Sequence, residues 1–202
     1  MRQYRLLFVF VLAAMVATGC QDRQKEPEMQ EGISENDEAV EVDKEAAEEK
    51  KKLEVELVDR EGIAVGIATL TEKSDGVHID VSAHHLAEGM HGFHIHEKGI
   101  CESPDFESAG GHFNPDGKEH GFDNPEGPHA GDMENLKVET DGTVEHTVIN
   151  DRVTLEKGVG HSLFTEEGTT LIIHVDADDY ASQPAGDAGD RIVCGTISKG
   201  EK

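Results

Sequence analysis

From residue 53 onward, apolar and polar side chains alternate one for one, and few patterns restrict a fold so strongly. Leu53-Glu54-Val55-Glu56-Leu57 sets apolar groups at every second position. In an extended strand that places them on one face and the acids on the other. Val77-His78-Ile79-Asp80-Val81 repeats the pattern. Further runs fall at residues 63–70, 90–96, 136–140, 143–149, 170–175 and 191–198, and Asp141-Gly142 between two of them is a hairpin signal. No window of this region has an apolar stripe at helical spacing. The pattern predicts an all-β domain of about eight antiparallel strands, a sandwich or a barrel.

Two long stretches interrupt the alternation. Residues 97–133 are rich in Gly, Pro and Asn, and residues 176–190 form a shorter break. Loops of this length are either functional or disordered, and disorder does not concentrate ligands as the first loop does. His94 and His96 stand two apart on a predicted strand, so both leave one face, while Phe93 and Ile95 turn to the other. The loop adds His112, His120, His129 and Asp132, and His174 closes a later strand. Imidazole suits copper and zinc, and an added carboxylate suits zinc. These ligands outnumber what one tetrahedral ion takes, so two ions are implied. The remaining histidines, His78, His84, His85, His91, His146 and His161, read as surface or turn residues.

The chain before residue 53 reads differently. Arg2 and Arg5 precede a short apolar run over residues 6–17, and Ala17-Thr18-Gly19-Cys20 follows. This order resembles a bacterial lipoprotein signal over residues 1–19, with Cys20 as the lipidated first residue; the alternative is an ordinary secretory signal cleaved near Gly19. Either way the chain is expected outside the cell, and lipidation at Cys20 would leave Cys101 and Cys194 as an even pair. Residues 20–52 then read as an acidic tether without an apolar stripe, and residues 53–202 as the folded domain. With 43 acids against 18 bases the chain has a formal charge of −25. Such a charge repels nucleic acid and anionic membrane surfaces, leaving an N-terminal lipid as the expected membrane contact. Oligomeric state stays open at this stage.

Several motifs taken in order resemble the exported bacterial branch of the copper/zinc superoxide dismutases. They are Gly92-Phe93-His94-Ile95-His96-Glu97-Lys98-Gly99, Gly110-Gly111-His112-Phe113-Asn114-Pro115 and Gly127-Pro128-His129-Ala130-Gly131-Asp132. Leu171-Ile172-Ile173-His174 and Gly189-Asp190-Arg191-Ile192-Val193-Cys194-Gly195 complete the set. The resemblance implies an eight-stranded antiparallel Greek-key barrel with two long functional loops. It implies copper held by His94, His96, His112 and His174, and zinc held by His112, His120, His129 and Asp132, with His112 bridging the two. Cys101 would pair with Cys194. Asp178 would link a copper histidine to a zinc histidine, in preference to its neighbour Asp179. Arg191 would guide and orient the superoxide anion and is expected to be the one basic residue near the copper mouth, because residues 176–190 hold no Lys. His112 would release copper on reduction and take up a proton. The competing function is a non-enzymatic copper or zinc buffer or delivery module on the same fold.

Overall fold

The computed structural model describes residues 51–199. The leader, Cys20 and nearly all of the tether expected over residues 20–52 lie outside them. Nine strands follow in order: β1 (Lys52–Asp59), β2 (Ala64–Lys73), β3 (Gly76–Ala83), β4 (Gly89–His91), β5 (Phe93–His96), β6 (Leu136–Val138), β7 (Val144–Asn150), β8 (Gly168–His174) and β9 (Arg191–Lys199). Seven of them form one sheet in the order β5-β8-β9-β1-β2-β3-β7, and β4 pairs with β6 in a second. Every pairing is antiparallel.

The alternation becomes a core by the route the sequence predicts. Val55 and Leu57 of β1, Ala68 and Leu70 of β2, and Ile79 and Val81 of β3 point inward and are buried. Each large aliphatic or aromatic group so removed from water contributes roughly 1.5–3 kcal/mol against the exposed chain. The long-range order is Greek-key: β9, last in sequence, lies between β8 and β1, and β5 pairs with β8 across some seventy intervening positions.

The run over residues 90–96, expected as one strand, is two. Gly92 separates them. Its N–H donates to Asp176 O at 2.7 Å and its carbonyl accepts from His174 N at 2.8 Å. A Cβ here would lie 2.8 Å from the Ala188 Cβ, so only glycine lets the strand pass this close to the second loop. On one side of Gly92 the chain pairs with β6, and on the other with β8. Because β6 turns back into β7 through the hairpin at Asp141-Gly142, the small sheet joins the two outer strands of the large one. That switch of partners curls the sheet into a barrel.

β5 and β8 depart from alternation in burial, since every residue of both is buried. Their inner faces, Phe93, Ile95, Leu171 and Ile173, belong to the barrel core. Their outer faces are covered by the long loop: Ile172 packs with Phe106, Ala109, Cys101 and Cys194 in a second apolar cluster. Cys101 and Cys194 form a disulfide across a separation of 93 residues, tying that loop to β9. Replacing both with Ser should lower unfolding free energy by about 2–5 kcal/mol, measured by denaturant titration of the oxidised protein. Stability equal to wild type would mean that the second cluster alone holds the loop down.

Candidate metal centre

β5 supplies His94 and His96, and its free edge organises the rest. The loop returns to this edge twice. Glu97 N donates to Gly111 O at 2.9 Å and Phe113 N to Ile95 O at 2.8 Å. On the second pass, Ile95 N donates to Gly131 O at 2.9 Å and Gly131 N to Phe113 O at 2.8 Å. His96 thus stands opposite His112, and His94 opposite Asp132, as isolated antiparallel bridges. Sheet pairing, rather than side-chain contact, delivers the loop residues to the strand histidines.

Two groups of four ligand atoms result, each within 4.8 Å of one another: His94, His96, His112 and His174, and His112, His120, His129 and Asp132. All seven residues are buried. In the first group each ring is held through one nitrogen and bare at the other. His96 Nδ1 bonds Gly110 O at 3.0 Å, His174 Nδ1 bonds Gly189 O at 3.0 Å, and His94 Nε2 bonds Asp178 Oδ2 at 2.6 Å. Since these acceptors are oxygens, the bonded nitrogens carry the protons. His96 Nε2, His174 Nε2, His94 Nδ1 and His112 Nε2 remain buried with no hydrogen-bond partner. Orphaned buried nitrogens are costly unless something else occupies their lone pairs.

The second group closes around one carboxylate oxygen. Asp132 Oδ2 accepts the backbone N–H groups of Gly121 and His129, both at 2.9 Å. Oδ1 is left facing Nδ1 of His112 at 2.8 Å, of His129 at 3.1 Å and of His120 at 3.1 Å. The His120 approach lacks hydrogen-bond geometry, and its Nδ1 is also orphaned. Three imidazole nitrogens facing one carboxylate oxygen at such separations form a donor set that fits zinc.

Asp178 connects the groups. Its Oδ1 lies 3.0 Å from His120 Nε2 while Oδ2 holds His94. Asn135 grips the Asp178 backbone from both sides, accepting from its N at 2.8 Å and donating to its O at 2.9 Å. Asp179 instead caps the turn at Ala181 and Ser182. Gly186, at φ +72°, makes room: a Cβ there would run into Asp178 Oδ1. Gln183 clamps His120, accepting from its N and donating to its O, both at 2.9 Å.

Burial dominates the proton affinities of the first group. It pushes His94 down to about 3 and His174 down to about 4, and lowers His96 and His112 as well. His120 goes the other way: burial pulls it down, but Asp132 and Asp178 together raise it to about 9. Asp132 is held far below the usual carboxylate range, since His112, His120, His129 and the Gly121 N–H outweigh its burial.

A cleft of about 730 Å³ opens onto His96, His112 and His174 and is lined also by Arg191. The Arg191 guanidinium is fixed by two carbonyls, Nη1 to Phe106 O and Nη2 to Gly110 O, both at 2.7 Å. Gly110 O therefore serves both Arg191 and His96. Burial lowers the Arg191 pKa, and it makes no ion pair with Asp190 or Asp187. One expectation needs correcting: Arg191 is not the lone basic residue at this mouth. Arg60, from the β1–β2 turn, lines the same cleft. Nothing local in the sequence marks Arg60, because it arrives through the pairing of β1 with β9.

The other six histidines stay out of both groups. His78 pairs with Asp75, His161 with Asp116, and His84 with His85. His91 is an exception to their expected surface role. It is buried, with Nδ1 2.7 Å from His174 O and Nε2 2.9 Å from Ala87 O, so it braces the backbone of His174. Asn135, Gln183 and His91 share no spacing with the ligands, and sequence patterns had no means of finding them.

Residues 64–197 match the family described as copper/zinc superoxide dismutase. The chain is 52% identical over 147 residues to copper–zinc superoxide dismutase 2 of Aquifex aeolicus, covering 72% of this chain and 86% of that protein. It is 44% identical over 203 aligned positions to the superoxide dismutase-like protein YojM of Bacillus subtilis, covering 96% of each. Among solved structures, the Cu/Zn superoxide dismutase from Brucella abortus superposes with a TM-score of 0.60 at 30% identity, covering 73% of this chain and 99% of that one. Two buried ligand groups sharing one histidine, on a barrel matched in sequence and in shape, lead to one conclusion: this chain belongs to the copper/zinc superoxide dismutase family, enzymes that use copper and zinc to dismute superoxide.

Proposed function

We propose that His94, His96, His112 and His174 hold the copper, that His112, His120, His129 and Asp132 hold the zinc, and that Arg191 guides superoxide to the open side. The observation that supports this most directly is the set of orphaned nitrogens. His94 Nδ1, His96 Nε2, His112 Nε2 and His174 Nε2 have no hydrogen-bond partner, and all belong to one ligand group. In His94, His96 and His174 the other ring nitrogen is bonded to an oxygen, which fixes the tautomer a metal needs. Bound there, copper supplies the one-electron exchange that turns two superoxide ions and two protons into oxygen and hydrogen peroxide, and zinc supplies a fixed charge beside it.

The chain's own groups do the rest. His112 has Nε2 in the copper group and Nδ1 against Asp132, so its ring would stay anchored on the zinc side, and Nε2, bare on the copper side, is the atom that would take up a proton for the product. Arg191 has its head locked by two loop carbonyls, which keeps it from folding onto Asp105 or Glu107 at the rim. Its remaining N–H groups are free to bind and orient a small anion. A metal buffer has no use for a fixed guanidinium at the mouth of its site, so the arrangement favours the enzyme.

The same reading extends to location. Arg2, Arg5, the apolar run over residues 6–17 and Thr18-Gly19-Cys20 support a signal over residues 1–19 and a lipid on Cys20, with the domain held on the outer face of the membrane. The disulfide takes up the chain's two other cysteines, and such bonds persist in oxidising compartments.

Three outcomes test these assignments. Asp132→Ala should lose zinc while keeping more copper-dependent activity than His96→Ala, as read by metal analysis of each purified variant; zinc content equal to wild type would remove Asp132 from the site. Arg191→Ala should keep both metals and lose activity by roughly tenfold or more. Arg191→Lys should retain more and Arg191→Glu less, and wild-type activity in Arg191→Ala with both metals bound would end its guiding role. Cys20→Ser should shift the protein from the membrane fraction to the soluble exported fraction. A wild-type protein already free in the medium would contradict the anchor.

A further inference from the structure

We infer that Arg60 is a positioning residue for superoxide approach, holding the backbone of Arg191 in place and taking the charge of Asp190 out of the copper mouth. This rests on the guiding role of Arg191. Arg60 Nε donates to the Arg191 backbone carbonyl at 2.7 Å, and Arg60 Nη2 lies 3.0 Å from Asp190 Oδ2. Arg191 is thus gripped from two directions, its head by Phe106 O and Gly110 O and its backbone by Arg60.

The turn carrying Arg60 is rigid and placed in register. Asp59 Oδ1 accepts from Glu61 N at 3.0 Å and from Ile63 N at 2.8 Å, closing the turn on itself. Asp59 also stands opposite Val193 in the β1–β9 pairing, two residues from Arg191. A side chain leaving the next position is therefore delivered to the start of β9.

Charge gives the contact its consequence. The cleft is lined by Glu97, Asp105, Glu107 and Asp190 against Arg60 and Arg191. Asp190 precedes Arg191 in sequence, and left unpaired it would set a negative charge beside the guanidinium that receives the anion. The Arg60 and Asp190 side chains are 35% and 74% exposed, so their ion pair adds little to stability. Its effect lies in the local field, which acts on the substrate within a Debye length of about 10 Å at 0.1 M salt. The two contacts use different nitrogens of one planar fork, which a lysine does not reproduce.

The test uses the copper- and zinc-loaded protein and two readouts: superoxide dismutation across ionic strength, and the dissociation constant of azide, a stable monoanion, read from the copper absorption band. Arg60→Ala should retain both metals, weaken azide binding and lower dismutation by roughly three- to tenfold at low salt, with the loss shrinking as salt rises. Adding Asp190→Asn to Arg60→Ala should recover most of the azide affinity. Arg60→Lys should fall between wild type and Arg60→Ala, since it restores charge without the fork; equality with wild type would overturn the positioning role. Wild-type azide affinity and salt profile in Arg60→Ala, while Arg191→Ala remains defective, would overturn this inference and leave the Arg191 reading standing. Wild-type behaviour in Arg191→Ala itself would overturn the reading beneath it.

Discussion

The outer edge of β5 is where this molecule becomes an enzyme. An edge strand presents a row of unpaired backbone groups. Here both arms of the long loop answer that row, through Gly111 and Phe113 on one pass and Gly131 on the other. The same backbone bonds that satisfy the edge set His112 opposite His96 and Asp132 opposite His94. A second constraint, this one covalent, is the Cys101–Cys194 bridge, which ties the far part of the loop to β9 and carries Phe106 and Gly110 to the Arg191 side chain. Loss of the edge pairing would scatter both ligand groups at once.

Burial then does chemical work. Removing His94 and His174 from water lowers their proton affinity to about 3 and about 4, so the rings are neutral at physiological pH and present lone pairs instead of protons. Which nitrogen is bare is decided by the oxygen on the other side of each ring: Gly110 O, Gly189 O or Asp178. Asp178 comes from the second loop and is itself held by Asn135, so the geometry of a strand histidine depends on a loop more than eighty residues away.

An acidic protein that acts on an anion must resolve a conflict of sign. Its formal charge of −25 is repulsive at long range. Salt confines that repulsion, leaving the groups within a Debye length to decide the approach. At the cleft these are two arginines against four carboxylates, and one of the carboxylates is already paired with Arg60. In the approach proposed for superoxide, attraction rests on where two guanidiniums are fixed rather than on the count of charges, which favours the acids even at the cleft.

Much of the architecture was legible because strand alternation is a local property. Leu53, Val55, Leu57, Ile79 and Val81 announce their inward faces through their immediate neighbours alone. The two-residue spacing of His94 and His96 does the same for one wall of the site, and the resemblance of the surrounding motifs to a known family extends the ligand set across the loop. What the chain could not announce locally is what covers what. The outer faces of β5 and β8 are buried because residues far along the chain fold over them, and Gly92 breaks a strand because Ala188 lies against it. Arg60 reaches Arg191 only because β1 lies beside β9. The sequence by itself determined most of the strands and their inward faces, each set by neighbours a few residues apart, and its motifs supplied the ligand residue types. Tertiary structure alone decided the partner switch at Gly92, the tautomers of the histidines and the company of Arg191, because each depends on contacts between segments that only the closed barrel brings together.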